Sequence, residues 1–279
     1  MEDRFFYPVD KFHDKIPDEW KSFTAFVACV GVGNISQLSC DLIVYNLRCK
    51  LVANLDFACA PSVVGCNPYS SGQSSESAFE LMTSSQLYVN NELRIAVIQM
   101  RSPPFQNRQK KHAEELSQFL HSAQFLRVVL LSSSFAMQCK DAELLTSRVR
   151  YAVTDHLSQA DRAQLEARCW PRLLPHTEDE DDLPGSLHSR VTYRLPGCGV
   201  ASRLFDAVCR PDRALPVCLL NIFASEGDNA GDALYVVHKL STWLDLLPKE
   251  KANDSPHKVW LSPPSWALLY GTSTLQHLY

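Results

Sequence analysis

The sequence is short of glycine, carries no excess of either charge and has no long uninterrupted apolar run. Each shortage removes a class of protein. Ten glycines and sixteen prolines lie scattered without period among 279 residues, which excludes a collagen-like or low-complexity chain. Lys and Arg number 27 against 31 Asp and Glu, for a net charge of −4. That balance gives no basic face of the kind a dedicated nucleic-acid binder needs. Residues 22–40 and 57–75 lack charge for about the length of a bilayer span. The first is interrupted by Gly31, Gly33, Asn34, Ser36 and Gln37, and the second is rich in serine with two prolines, so no membrane span is expected. The first fifteen residues mix charges and hold no apolar signal core. The compartment expected is therefore cytoplasm or nucleus.

The catalytic signatures are missing as well. No G-x-S-x-G surrounds any serine, and there is no H-E-x-x-H, no Walker loop and no H-x-E with a cysteine pair. The ten cysteines include no C-x-x-C, and no histidine follows one at zinc-finger spacing. A chain of this size is not a disulfide-stapled scaffold, so the cysteines read as small buried hydrophobes.

What is present is an alternation of strands and helices. Phe23–Val30 is a β-rich apolar run ended by Gly31, and Asn34 is placed to cap a helix in which Ile35, Leu38, Leu42 and Tyr45 share one face. Leu51–Phe57 and Leu93–Met100 read as strands, Gln106–His121 as a helix, and Leu126–Leu131 as a buried strand running into Ser132–Ser134. Val191–Leu195 and Pro216–Phe223 read as further strands, Leu157–Cys169 and Val200–Val208 as helices. The strongest helical pattern runs from Ala230 through Leu247, and Ser262 is placed to cap a short last helix. The alternation predicts an α/β sandwich with a mixed, largely parallel sheet. Residues 1–20 read as an extension, 21–273 as one domain, and 274–279 as an extended tail. Within the domain, 140–190 reads as a partly mobile acidic excursion around Glu178–Asp182.

Two turns have the composition of ligand sites. Gly31-Val32-Gly33-Asn34 follows a strand and opens a helix, where bare backbone can cradle a phosphate, and Asp56 lies near the end of the next strand, where a ribose carboxylate would stand. Ser36 replaces the third glycine of that pattern. Ser225-Glu226-Gly227-Asp228-Asn229 also sits between a strand and a helix, with two carboxylates placed to hold a metal, to do acid–base work or simply to cap the helix. These residues support a nucleotide- or nucleoside-binding enzyme as one reading and tight structural turns as the other. Ser132–Ser134 ends a strand where a nucleophile would be exposed. The tail, finishing in Leu278 and Tyr279, offers an aliphatic and an aromatic anchor beside a free carboxylate.

A set of stretches then narrows the choice: VGVGNISQLSCDLIV (30–44), VVGCNPY (63–69), RVVLLSSS (127–134), LPGCG (195–199), FASEGDNAGDAL (223–234) and PSWALLYGTS (264–273). In this order they resemble the proteasome assembly chaperone family. The resemblance implies a fold similar to nucleoside phosphorylases without their catalytic groups, and no cofactor or metal. It implies a non-catalytic chaperone that forms a heterodimer with proteasome assembly chaperone 1 and promotes assembly of the proteasome α-subunit ring, with no nucleic acid and no membrane among its partners. It further implies docking through a C-terminal tail ending in a hydrophobic residue, a tyrosine and one more residue. Leu278 and Tyr279 supply the first two, and here nothing follows. The first helix and the surroundings of Pro68 and Tyr69 are the expected partner surface.

Overall fold

The structure is a computed structural model and describes residues 5–9, 16–70, 81–144, 146–175, 192–247 and 255–268. Eight strands make the main sheet: β1 (Phe6–Pro8), β2 (Thr24–Ala28), β3 (Lys50–Leu55), β6 (Ser85–Asn90), β7 (Ile95–Met100), β8 (Arg127–Phe135), β9 (Val149–Val153) and β10 (Val217–Ala224). A separate two-stranded ribbon pairs β4 (Val64–Cys66) with β5 (Leu81–Thr83). The order across the sheet is β1-β3-β6-β7-β2-β8-β10-β9. The four central strands β7, β2, β8 and β10 are parallel, and the flanking pairs are antiparallel. The parallel strands read as continuous apolar runs because both of their faces are covered: all eight residues of β10 are buried.

The helices are α1 (Ile35–Asn46), α2 (Gln109–Ala123), α3 (Asp141–Leu144), α4 (Gln159–Ala167), α5 (Ala201–Val208), α6 (Ala230–Leu244) and α7 (Pro256–Val259). On one face of the sheet, α2 and α5 bury Leu116, Phe119, Leu204 and Phe205. On the other, α1 and α6 bury Leu42, Ile43, Val237 and Leu240. Each face thus closes its own core, and the α/β sandwich expected from the alternation is the architecture.

Several details differ from expectation, each for a packing reason. The opening twenty residues, read as an extension, contribute β1 at the sheet edge and bury Phe6 and Trp20 in the first core, with their rings edge to face. Helix α1 buries more than one face: every residue from Ile35 to Val44 is inside, because α1 lies between the sheet and α6 and the chain after α7 returns to it. Asn46 holds that return as a strand would, donating from Nδ2 to the Leu261 carbonyl and accepting from its N–H at Oδ1, both at 2.8 Å. The stretch read as an acidic excursion supplies β9 and α4, and Ser158 caps α4 by accepting from Asp161 N. Strands β1, β6 and β9 were not expected. Thr192–Leu195 is not a strand; only Thr192 makes a bridge. The acidic run 178–182 and the tail 274–279 lie outside the described residues.

Candidate functional site at the carboxyl edge of the sheet

From β2 the chain turns toward β3 at one end of the sheet, and from β8 it leads toward β10 at the other. The crevice outside the ends of β2 and β8 is therefore the topological switch point, where open α/β sheets bind their ligands. The structure puts Gly31, Gly33 and Glu226 there together, with Phe135 and Gly197, around a cavity of about 440 Å³. The LPGCG loop then fills the place a ligand would take. The Gly197 carbonyl accepts from Val32 N–H at 3.0 Å, and the Pro196 carbonyl accepts from Phe135 N–H at 3.0 Å. These are backbone donors that a phosphate would need, and the chain itself has taken them.

The glycines follow from this packing. A Cβ on Gly199, whose φ is +60°, would stand 1.9 Å from the Val30 carbonyl oxygen. On Gly33, with φ +64°, it would stand 2.2 Å from Asn229 Nδ2. Asn229 is buried and donates to the Ser225 and Gly227 carbonyls at 3.1 and 3.0 Å, closing its own loop. Asp228 accepts from Ala230 N–H at 3.0 Å, the bond of a helix cap. Both glycine-bearing turns are accordingly close-packed turns.

Asp56 does not join them. It follows β3, three strand spacings or roughly 14 Å from β2, and lines a different cavity with Phe5, Lys111 and Glu115. The expected ribose carboxylate is thus on the wrong strand, because β6 and β7 intervene. The serines do not end β8; they lie within it. Ser132 Oγ donates to Asn221 Oδ1 at 3.1 Å, Asn221 Nδ2 donates to Ser134 Oγ at 2.8 Å, and Ser133 Oγ donates to the Val32 carbonyl at 2.6 Å. Asn221 sits opposite Ser132 in register, so it bridges the two serines that share its face. All three hydroxyls are buried and serve the sheet.

The residues that sequence reasoning missed lie beside α1. Asp41 is buried and takes a bidentate pair from Arg101, at 2.6 and 3.1 Å, the planar fork that guanidinium and carboxylate favour. Its Oδ1 also accepts from Gln99 Nε2 at 2.7 Å and from the Tyr69 hydroxyl at 2.7 Å. Burial works against the Arg101 cation, but the adjacent Asp41 carboxylate outweighs it and raises its pKa. Burial, reinforced by Asp41, pushes the Tyr69 phenol well above the usual tyrosine range. The signal in the sequence was a lone charge inside SCDLIV, which reads as an anomaly on a helix otherwise apolar there.

This hub stands at the same edge as a group of exposed apolar side chains. Val63, Val64 and Leu81 lie on and beside the ribbon that precedes β6, and β6 begins at Ser85 opposite Met100, the end of β7. Phe105 follows β7 and Met137 follows β8, the latter 84% exposed. The chain after α7 reaches this edge too: Ser265 N–H donates to the Pro68 carbonyl at 3.3 Å. Pro68 and Tyr69, expected on the partner surface, thus pack under the root of the tail. Pro68 is buried and Tyr69 half-buried. Leu278 and Tyr279 lie outside the described residues.

A doubly wound α/β sheet whose switch-point crevice is filled by its own loop defines the class, and sequence comparison supplies the family. Residues 25–209 match the PAC2 family, and the chain belongs to it. It is 35% identical over 259 residues to Proteasome assembly chaperone 2 of Danio rerio, covering 93% of this chain and 95% of that protein. It is 30% identical over 253 residues to Proteasome assembly chaperone 2 of Homo sapiens, covering 90% and 92%. Among solved structures it is similar to Pyrococcus furiosus PbaA, described as an archaeal homolog of proteasome-assembly chaperone, with TM-score 0.58 and 16% identity over 88% of each chain. PbaB of the same organism, described as an archaeal proteasome activator, superposes with TM-score 0.55 and 16% identity over 91% of this chain and 96% of that one. At such identities these two neighbours speak for the fold.

Proposed function

We propose that the chain is a non-catalytic chaperone of proteasome assembly. In this reading it pairs with proteasome assembly chaperone 1, promotes formation of the α-subunit ring and docks on the ring partly through Leu278 and Tyr279, in cytoplasm and nucleus. The observation that carries the proposal is the 35% identity to Proteasome assembly chaperone 2 over 93% of the chain. Two features of the molecule support it. The crevice where an α/β enzyme would hold its ligand is occupied by Gly197 and Asn229. The same edge carries exposed Val64, Leu81, Phe105 and Met137, and clustered exposed apolar side chains mark sites of protein association.

The test is a truncation lacking His277, Leu278 and Tyr279, purified with the partner chaperone and titrated against proteasome α subunits. The tail follows Leu268 and contributes nothing to either core, so pairing with the partner should persist while affinity for the α subunits falls about tenfold, the loss of one aromatic anchor. Unchanged α-subunit affinity would remove the tail from the reading. Failure of the intact chain to bind either protein would remove the reading itself.

A further inference from the structure

A second cavity, of about 210 Å³, opens at the carboxyl edge between the first turns of α1, Pro68, Arg101 and Trp266. It is separate from the filled crevice. Three of the side chains lining it carry a buried polar atom with no hydrogen-bond partner among the described residues: Gln37 Oε1, Arg101 Nε and Trp266 Nε1. A buried polar atom left unpaired costs about 1–3 kcal/mol, so three around one cavity are a standing cost that an occupant can relieve. Gln37 is itself more than nine-tenths buried, at 8% exposure.

The chemistry of the occupant follows from what is already spent. Asp41 faces the cavity, but its carboxylate is saturated by Arg101, Gln99 and Tyr69 and its charge is met by the guanidinium. The lining therefore has no net charge to offer an ion. What remains is two donors, Arg101 N–H and Trp266 N–H, and one acceptor, Gln37 Oε1. Leu38 and Pro68 give apolar walls. A planar amide presents one carbonyl oxygen and one N–H, the complement of that set. The ring of groups is also held in place beforehand: Gln99 Nε2 donates to the Gln37 carbonyl at 2.9 Å as well as to Asp41, and Ser265 ties the Trp266 segment to Pro68. Such preorganisation is what a recognition pocket needs.

We propose that this cavity receives one amide group of a protein partner, from an Asn or Gln side chain or from the main chain. The proposal rests on the reading that a protein docks at this edge, and its test does not require that partner. The full chain, labelled with ¹⁵N, is titrated with acetyl-glutamine methylamide, acetyl-alanine methylamide and acetate, following the indole N–H signals of its five tryptophans. Trp266→Phe assigns the reporting signal. The Trp266 signal should shift saturably with one or both amides, the first alone indicating a side-chain amide and both a main-chain one. Acetate should bind at least tenfold more weakly. Gln37→Met, which keeps the bulk and removes the acceptor, should weaken the amide about tenfold. Absence of a saturable Trp266 shift with either amide, or acetate binding as well as the amides, would overturn the proposal. So would unchanged affinity in a folded Gln37→Met protein. None of these results alters co-purification with proteasome subunits, so the two readings fail separately. Should Gln37→Met not fold, the wild-type comparison of amide with acetate still decides.

Discussion

Replacing Asp41 by Ala removes the acceptor that four hydrogen bonds share: two from Arg101, one from Gln99 and one from Tyr69. The Arg101 guanidinium, whose side chain is 18% exposed, would then be a buried cation without a counterion. Breaking a buried ion pair by removing one partner costs about 3–5 kcal/mol, because the other charge stays behind. For 279 residues the unfolding entropy is about 0.6 kcal/mol per kelvin, so the midpoint should fall by roughly 5–9 °C. Urea unfolding followed by circular dichroism reads the free energy directly. The reasoning makes a second demand: removing both charges should cost less than removing one. Asp41→Leu combined with Arg101→Met should recover at least half of the single-variant loss, since well-packed apolar groups often replace a buried pair without penalty. A single-variant loss under about 1 kcal/mol would refute the argument. So would a double variant no more stable than Asp41→Ala.

Further expectations come from other parts of the molecule. His112 is buried against Phe57, and burial lowers its pKa to about 4. Its neutral form is favoured in the folded state, so the stability it contributes is complete above pH 6.5 and is lost as pH falls toward 4, by up to about 3 kcal/mol. His112→Leu should flatten that part of the pH–stability curve, and an unchanged slope would contradict the assignment. Brief iodoacetamide treatment of the native protein should modify Cys66, Cys169 and Cys209, which are exposed, and spare Cys29, Cys40 and Cys218, whose thiols burial pushes up. Labelling of the second group before the first, read by peptide mass mapping, would mean the core is not packed as described. Gly199→Ala should lower the melting midpoint by several degrees, because its Cβ would meet the Val30 carbonyl at 1.9 Å in a loop that holds the ends of β2 and β8. A midpoint within 1 °C of wild type, the scatter of such a measurement, would show that the loop yields without cost.

The parallel centre of the fold was legible because its elements are long and strongly patterned. LRVVLL and PVCLLNIF can only be buried strands, and the spacing from Ala230 to Leu244 is helical throughout. The edges were not, for local reasons. Strand β1 is three residues long, and SQLYVN in β6 mixes polar with apolar positions although all but Asn90 are buried. Short strands are decided by what they pair with, which no local pattern records. The site was half legible. Gly31, Gly33 and Glu226 do converge, but the sequence could not show that Gly197, more than 160 positions after Val32, would occupy the space between them. Asp56 failed because adjacency in sequence was taken for adjacency in the sheet. Asp41 and Arg101, sixty residues apart, meet only after β7 is laid beside β2 and α1 is packed over both.

The most direct test of the central claim is purification of the tagged full chain from cell lysate with mass-spectrometric identification of the bound proteins. A proteasome assembly chaperone should bring proteasome α subunits and a second chaperone of comparable size, in a fraction without peptidase activity. A chain recovered without α subunits would contradict the account.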